Sequence, residues 1–120
     1  MLKTIKIGSK DYDMKSSAWT PFKYENDYGT DLLKDINAIN IKNKEISALK
    51  SEQERENAWV NEISGIMKLA LRIAYTMIIE YNSKFMSYDE WLKELDNVFG
   101  EFSWVQEVME CAMSTFQRKV

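Results

Sequence analysis

Histidine is absent from the 120 residues, and cysteine and proline occur once each. Without imidazole the chain lacks the commonest general base, the commonest metal ligand and every catalytic triad built on that ring. Most hydrolase chemistry is thereby excluded. The lone Cys111 can form no internal disulfide, a usage typical of a reducing cytoplasm. The four glycines, Gly8, Gly29, Gly65 and Gly100, stand singly, so neither a phosphate-cradling loop nor a dinucleotide fingerprint can be built from them. So little Pro and Gly also argues against a disordered linker.

Long apolar runs are scarce as well. The most apolar stretch, Ile63 to Ile79, carries Lys68 and Arg72 inside it and is flanked by Glu62 and Glu80, which fits a buried helix better than a membrane span. Met1 to Ile7 alternates apolar and basic residues, without the continuous apolar stretch and small-residue cleavage site of a signal peptide. The expectation is a protein that stays in the cytoplasm where it is made. With 45 % hydrophobic and 29 % charged residues, the chain has enough apolar material for one folded domain over residues 1–120.

Residues 2–15 read as a β-hairpin. Ile5 and Ile7 alternate with polar residues, Gly8-Ser9 suits a two-residue turn, and Tyr12 and Met14 resume the alternation. Such a turn pairs Ile7 with Lys10, Ile5 with Tyr12 and Lys3 with Met14, gathering four apolar side chains on one face, while Lys6 meets Asp11 on the other. A lone hairpin is marginal in water, so that apolar face needs cover.

Residues 20–120 read as helical. Thr20 is expected to cap a short helix with Pro21 at its first position and Gly29 closing it. Thr30 is the expected cap of a second helix running towards Lys50, with a kink or break near residues 40–44 because Asn37, Asn40 and Asn43 compete for backbone hydrogen bonds in its middle. Ser51 and Glu54 have capping-box spacing, and no breaker follows until Asn82 and Ser83. Thirty residues at about 1.5 Å each make a helix of roughly 45 Å, longer than the roughly 35 Å diameter of a compact chain of this size. Trp59, Ile63, Ile66, Met67, Ala70, Ile73, Ala74, Met77 and Ile78 form its apolar stripe, and Leu69, Leu71, Tyr75 and Ile79 add apolar surface off it. Such a helix is central or covered by another chain. Ser87 with Glu90, ahead of Trp91, Leu92, Leu95 and Val98, and Ser103 with Gln106, ahead of Val105 to Phe116, mark two further helices separated by Gly100. The fold class is therefore mainly α, an N-terminal hairpin followed by a bundle of four to five helices with one long central helix.

Charge is uneven. Residues 1–50 hold nine Lys against seven acids, and residues 51–120 hold seven Lys plus Arg against twelve. Between residues 85 and 117 only Lys93 opposes Asp89, Glu90, Glu94, Asp96, Glu101, Glu107 and Glu110, which disfavours nucleic acid as a partner. Glu107 and Glu110 share a helix face, but with no histidine they lack the usual di-iron ligand set. Cys111 has no legible activating base. No catalytic residue, metal or cofactor is expected. The aromatic cluster Trp19, Phe22, Tyr24 and Tyr28 exceeds what one small core face needs, so it supplies candidate protein-contact residues together with Leu69, Leu71, Tyr75 and Ile79. The latter four also suggest self-association.

The runs Ile5-Lys6-Ile7-Gly8, Lys15-Ser16-Ser17-Ala18-Trp19-Thr20-Pro21-Phe22-Lys23-Tyr24 and Tyr28-Gly29-Thr30-Asp31-Leu32-Leu33-Lys34-Asp35 resemble the start of tail assembly chaperones from long-tailed phages and prophages of Gram-positive bacteria. The matching order is a hairpin, a small-residue linker, an aromatic-basic short helix, a glycine and a Leu-rich helix. The resemblance covers about a quarter of the chain. It implies a non-enzymatic protein that binds the tape measure protein in the host cytoplasm and keeps it soluble while tail tube protein polymerises, then leaves the finished tail. The alternative is a small acidic phage protein that inhibits a host factor through the acids between Asp89 and Glu110.

Overall fold

The computed structural model describes residues 1–100 and 102–117. Strands β1 (Leu2–Ile7) and β2 (Lys10–Lys15) form an antiparallel hairpin, followed by helices α1 (Trp19–Tyr28), α2 (Leu32–Ser47), α3 (Glu52–Tyr81), α4 (Tyr88–Glu94) and α5 (Ser103–Met113), with a 3₁₀ turn over Ser114–Phe116. The hairpin has the expected register, with Ile5 opposite Tyr12, Ile7 opposite Lys10 and Lys6 opposite Asp11. Gly8 takes a φ of 67°, as the first position of a II′ turn requires. Ile5, Ile7, Tyr12 and Met14 are all buried, because α3 covers β2 and α5 covers β1.

Helix α3 is 30 residues long, and its length matches the longest extent of the molecule, 44 Å. Ser51 caps it by accepting from the Glu54 N–H at 3.0 Å. Packed by β2, α1, α2 and α5, it is the central helix, and this chain itself covers most of its apolar surface. Its polar first turns are flanked by the end of α2, where Arg55 Nη1 donates to the Leu49 carbonyl at 2.7 Å and Lys42 pairs with Glu62 at 3.5 Å.

Several boundaries differ from expectation. Helix α1 begins at Trp19 rather than after Thr20, because the Thr20 hydroxyl is engaged twice. It accepts from the Ser17 N–H at 2.9 Å and donates to Glu80 in the last turn of α3. Pro21 still lies in the first turn, where a missing N–H costs no intrahelical bond, and Gly29 closes the helix at φ 69° as expected. Asp31, not Thr30, caps α2 by accepting from the Lys34 N–H at 2.9 Å; the Thr30 hydroxyl donates instead to Asp35 at 3.1 Å. Helix α2 has no break at residues 40–44 and ends at Ser47, short of Lys50. Leu32, Ile36 and Ile39 anchor it in the core, while Asn37 and Asn40 are exposed and Asn43 half-buried, so the core contacts of the other face keep the helix continuous.

Helix α4 is capped by Ser87 as expected but stops at Glu94, leaving Leu95 and Val98 in the connector. Asn97 adopts a left-handed φ of 54°, and Asp96 turns away to the hairpin tip, where its carboxylate accepts from the Ser9 N–H at 3.1 Å and the Ser9 hydroxyl at 2.8 Å. Helix α5 opens at Ser103 itself, capped by the Phe102 backbone without a side-chain bond. The Phe102 ring is held edge-on against Trp59 at 4.6 Å.

Candidate functional site: an aromatic cleft between α1 and α3

The bonds that open α1 also set its rotation. With Thr20 tied to Glu80 and Tyr24 donating its hydroxyl to Asp35 at 2.6 Å, one side of the helix is fixed against α3 and α2. Trp19 and Phe22, three apart on the opposite side, are left 44 % and 74 % exposed. On α3 the Tyr75 hydroxyl donates to the Met86 carbonyl at 2.8 Å, which fixes the connector carrying Ser83 and Phe85 beside it. Trp19, Lys23, Tyr75, Ile79, Ser83 and Phe85 then line a cleft of about 280 Å³. Lys23 is oriented along α1 by Asp27 at 3.1 Å.

Behind the cleft is a cluster of rings. Tyr75 lies 5.2 Å from Tyr88 and 5.8 Å from Trp91, Tyr28 lies 6.3 Å from Tyr88, and the Arg72 guanidinium sits 5.0 Å above the Tyr28 ring, within cation–π range. Burial raises the pKa of Tyr24, Tyr28, Tyr75 and Tyr88 above the ordinary tyrosine value, reinforced at Tyr24 by its bond to Asp35. These hydroxyls stay neutral. The cleft is therefore lined and backed by neutral aromatic rings, suited to receiving apolar side chains.

Of the residues proposed from the sequence, Trp19, Tyr75 and Ile79 come together in this cleft, and Phe22 is exposed on α1 outside its lining. Tyr28 is partly buried under Arg72. Leu69 is elsewhere, in a small apolar groove with Ala38, Ile39, Gly65 and Ile66 between α2 and α3. Tyr24 and Leu71 are corrections: both are buried within this chain and present no surface to a partner. Tyr24 is turned inward by Asp35, and Leu71 is covered because α3 is packed on several sides. Lys23, Phe85 and Arg72 were not singled out as contact residues; the one signal was a cation three positions before Tyr75 in an apolar helix.

The acidic stretch is largely committed within the fold. Glu94 pairs with Lys10, Asp96 holds Ser9, Glu107 lies 4.0 Å from Lys3, and Glu110 accepts from Gln106 at 3.1 Å. Glu101 lies outside the described residues. The buried Cys111 thiol has a raised pKa, chiefly from desolvation, which keeps it protonated. Among the described residues no group of three or more Cys, Asp or Glu could hold a metal ion, and no helix is long and apolar enough to cross a membrane. The chain matches no family model, no curated protein and no solved structure.

Proposed function

We propose that this protein is a non-enzymatic tail assembly chaperone of a long-tailed phage or prophage, holding helical segments of the tape measure protein in the host cytoplasm until the tail tube forms around them. The observation that carries this reading is the exposure of Trp19 and Phe22 on α1, with Trp19 lining a cleft beside Tyr75, Ile79 and Phe85. Large aromatics that a small fold leaves in water are the side chains that anchor protein interfaces, and sinking one into a partner contributes about 1.5–3 kcal/mol. A few such contacts hold a helix reversibly, as a holder that must later release its client requires. Tail tube protein and a second copy of the chain are further partners under this reading. Leu71 plays no part in self-association, which rests on Leu69, Tyr75 and Ile79.

The inhibitor alternative is less well supported, because Glu94, Asp96 and Glu107 face the hairpin. The test is co-expression with the tape measure protein of the same phage or prophage. The expected result is soluble tape measure protein that co-purifies with this chain. An insoluble, unbound tape measure protein beside a folded copy of this chain would remove the reading.

A further inference from the structure

The aromatic face carries a guanidinium that stacks on a ring but pairs with no carboxylate among the described residues. Arg72 stands on α3 one turn before Tyr75, partly buried, with its guanidinium stacked 5.0 Å above the Tyr28 ring. No carboxylate among the described residues pairs with it, and its N–H fork has no acceptor there. Of the acids whose charge reaches the same rings, Asp27 pairs with Lys23, Asp35 accepts from Tyr24 and Thr30 and Glu90 accepts from Ser87, while the exposed Asp89 beside Tyr88 forms no ion pair with Arg72. Lys68, exposed one turn before Arg72, adds charge of the same sign.

Positions three and four apart share one side of a helix, so Arg72 stands on the Tyr75–Ile79 side of α3, outside the lining of the cleft itself, where a partner that extends from the cleft past Tyr28 reaches it. Covering a guanidinium without an acceptor carries a heavy desolvation cost, which a partner carboxylate offsets. The planar fork, already oriented by Tyr28, matches a carboxylate through two parallel hydrogen bonds. We propose that Arg72 sets the partner specificity of this surface, receiving an Asp or Glu side chain from an amphipathic helix whose large apolar residue, one turn away, fills the Trp19–Tyr75–Ile79 cleft. The inference builds on the docking face of the proposed function and adds the chemistry of the client segment.

The test is selection of a displayed library of random 16-residue peptides against the full chain. The expected winners carry an acidic residue three or four positions from a large apolar one. They should bind Arg72→Gln about tenfold or more weakly and Arg72→Lys with intermediate strength, and peptides with Lys in place of the acid should regain binding to Arg72→Glu. Far-UV circular dichroism checks that each variant is folded. Winners without an acid, winners indifferent to Arg72→Gln, or no winners at all would overturn the proposal. The chaperone reading is judged separately: a tape measure protein solubilised equally by the wild type and Arg72→Gln leaves that reading standing and removes this one, whereas acid-bearing winners beside an insoluble tape measure protein do the reverse.

Discussion

Gly8 lies directly beneath the backbone of Asp96, so close that a Cβ on Gly8 would come within 1.9 Å of the Asp96 carbonyl oxygen. The hairpin tip and the α4–α5 connector are in backbone contact there. The fold needs glycine at this position for two independent reasons, the missing side chain and the positive φ.

Gly8→Ala is expected to lower stability by about 3 kcal/mol, combining overpacking against backbone with left-handed strain. Urea unfolding measures it. A loss below the usual uncertainty of the extrapolation would mean that the connector yields freely and the contact does not constrain the fold.

The same junction predicts a response to acid. Hydrogen bonds from Ser9 hold the Asp96 carboxyl below its ordinary 3.8, so the folded state binds this proton less readily than the unfolded state. The resulting stabilisation is present above that value and is lost as pH falls from it through the lower folded value. Comparison of urea midpoints at pH 7 and pH 3 should show a smaller drop for Asp96→Asn than for the wild type, from a lower starting point. Parallel drops would rule out Asp96 as a contributor.

Alkali acts through the tyrosines. Tyr24, Tyr28, Tyr75 and Tyr88 have raised pKa values, chiefly because their hydroxyls are desolvated, and the fold therefore favours their neutral forms. That stabilisation is intact below about pH 10 and declines as pH climbs from there towards the raised folded values. Absorbance at 295 nm should show these four ionising together with loss of helix signal. Smooth titration near pH 10 in a still-helical protein would contradict the burial.

Two aromatic substitutions separate surface from core. Tyr24→Phe leaves Asp35 without one of its two hydroxyl donors and should cost about 1–2 kcal/mol. Phe22→Ser, at a ring 74 % exposed, should change stability by no more than about 0.5 kcal/mol yet reduce recovery of soluble tape measure protein. A Phe22→Ser chain that holds its client as well as the wild type would move the docking face away from α1.

What the sequence made legible was local. The hairpin follows from two-residue alternation around Gly8-Ser9, and α3 from the Ser51–Glu54 box and an unbroken apolar stripe. The differences arise where a distant partner decides. Thr20 looks like a cap in isolation, but Glu80, sixty residues away, draws its hydroxyl elsewhere. Leu95 and Val98 continue a helical spacing that Asp96 interrupts by reaching back to Ser9. At the cleft, the aromatic surplus was visible, but its orientation was not. Tyr24 and Phe22 sit two residues apart on one short helix, and distant partners, Asp35 on α2 and Glu80 on α3, determine which turns inward.

The long reach of the hairpin's contacts also orders events during synthesis. Ser9 is held by a residue 87 positions later, and the Ser16 hydroxyl donates to the Cys111 carbonyl 95 positions later. On the ribosome, the apolar side of β1 lacks its cover until α5 emerges, roughly 5–20 s after the hairpin at ordinary elongation rates. Until then Ile5, Ile7, Tyr12 and Met14 have only the cover that α3 gives β2, and closure of the hairpin's apolar face waits for α5.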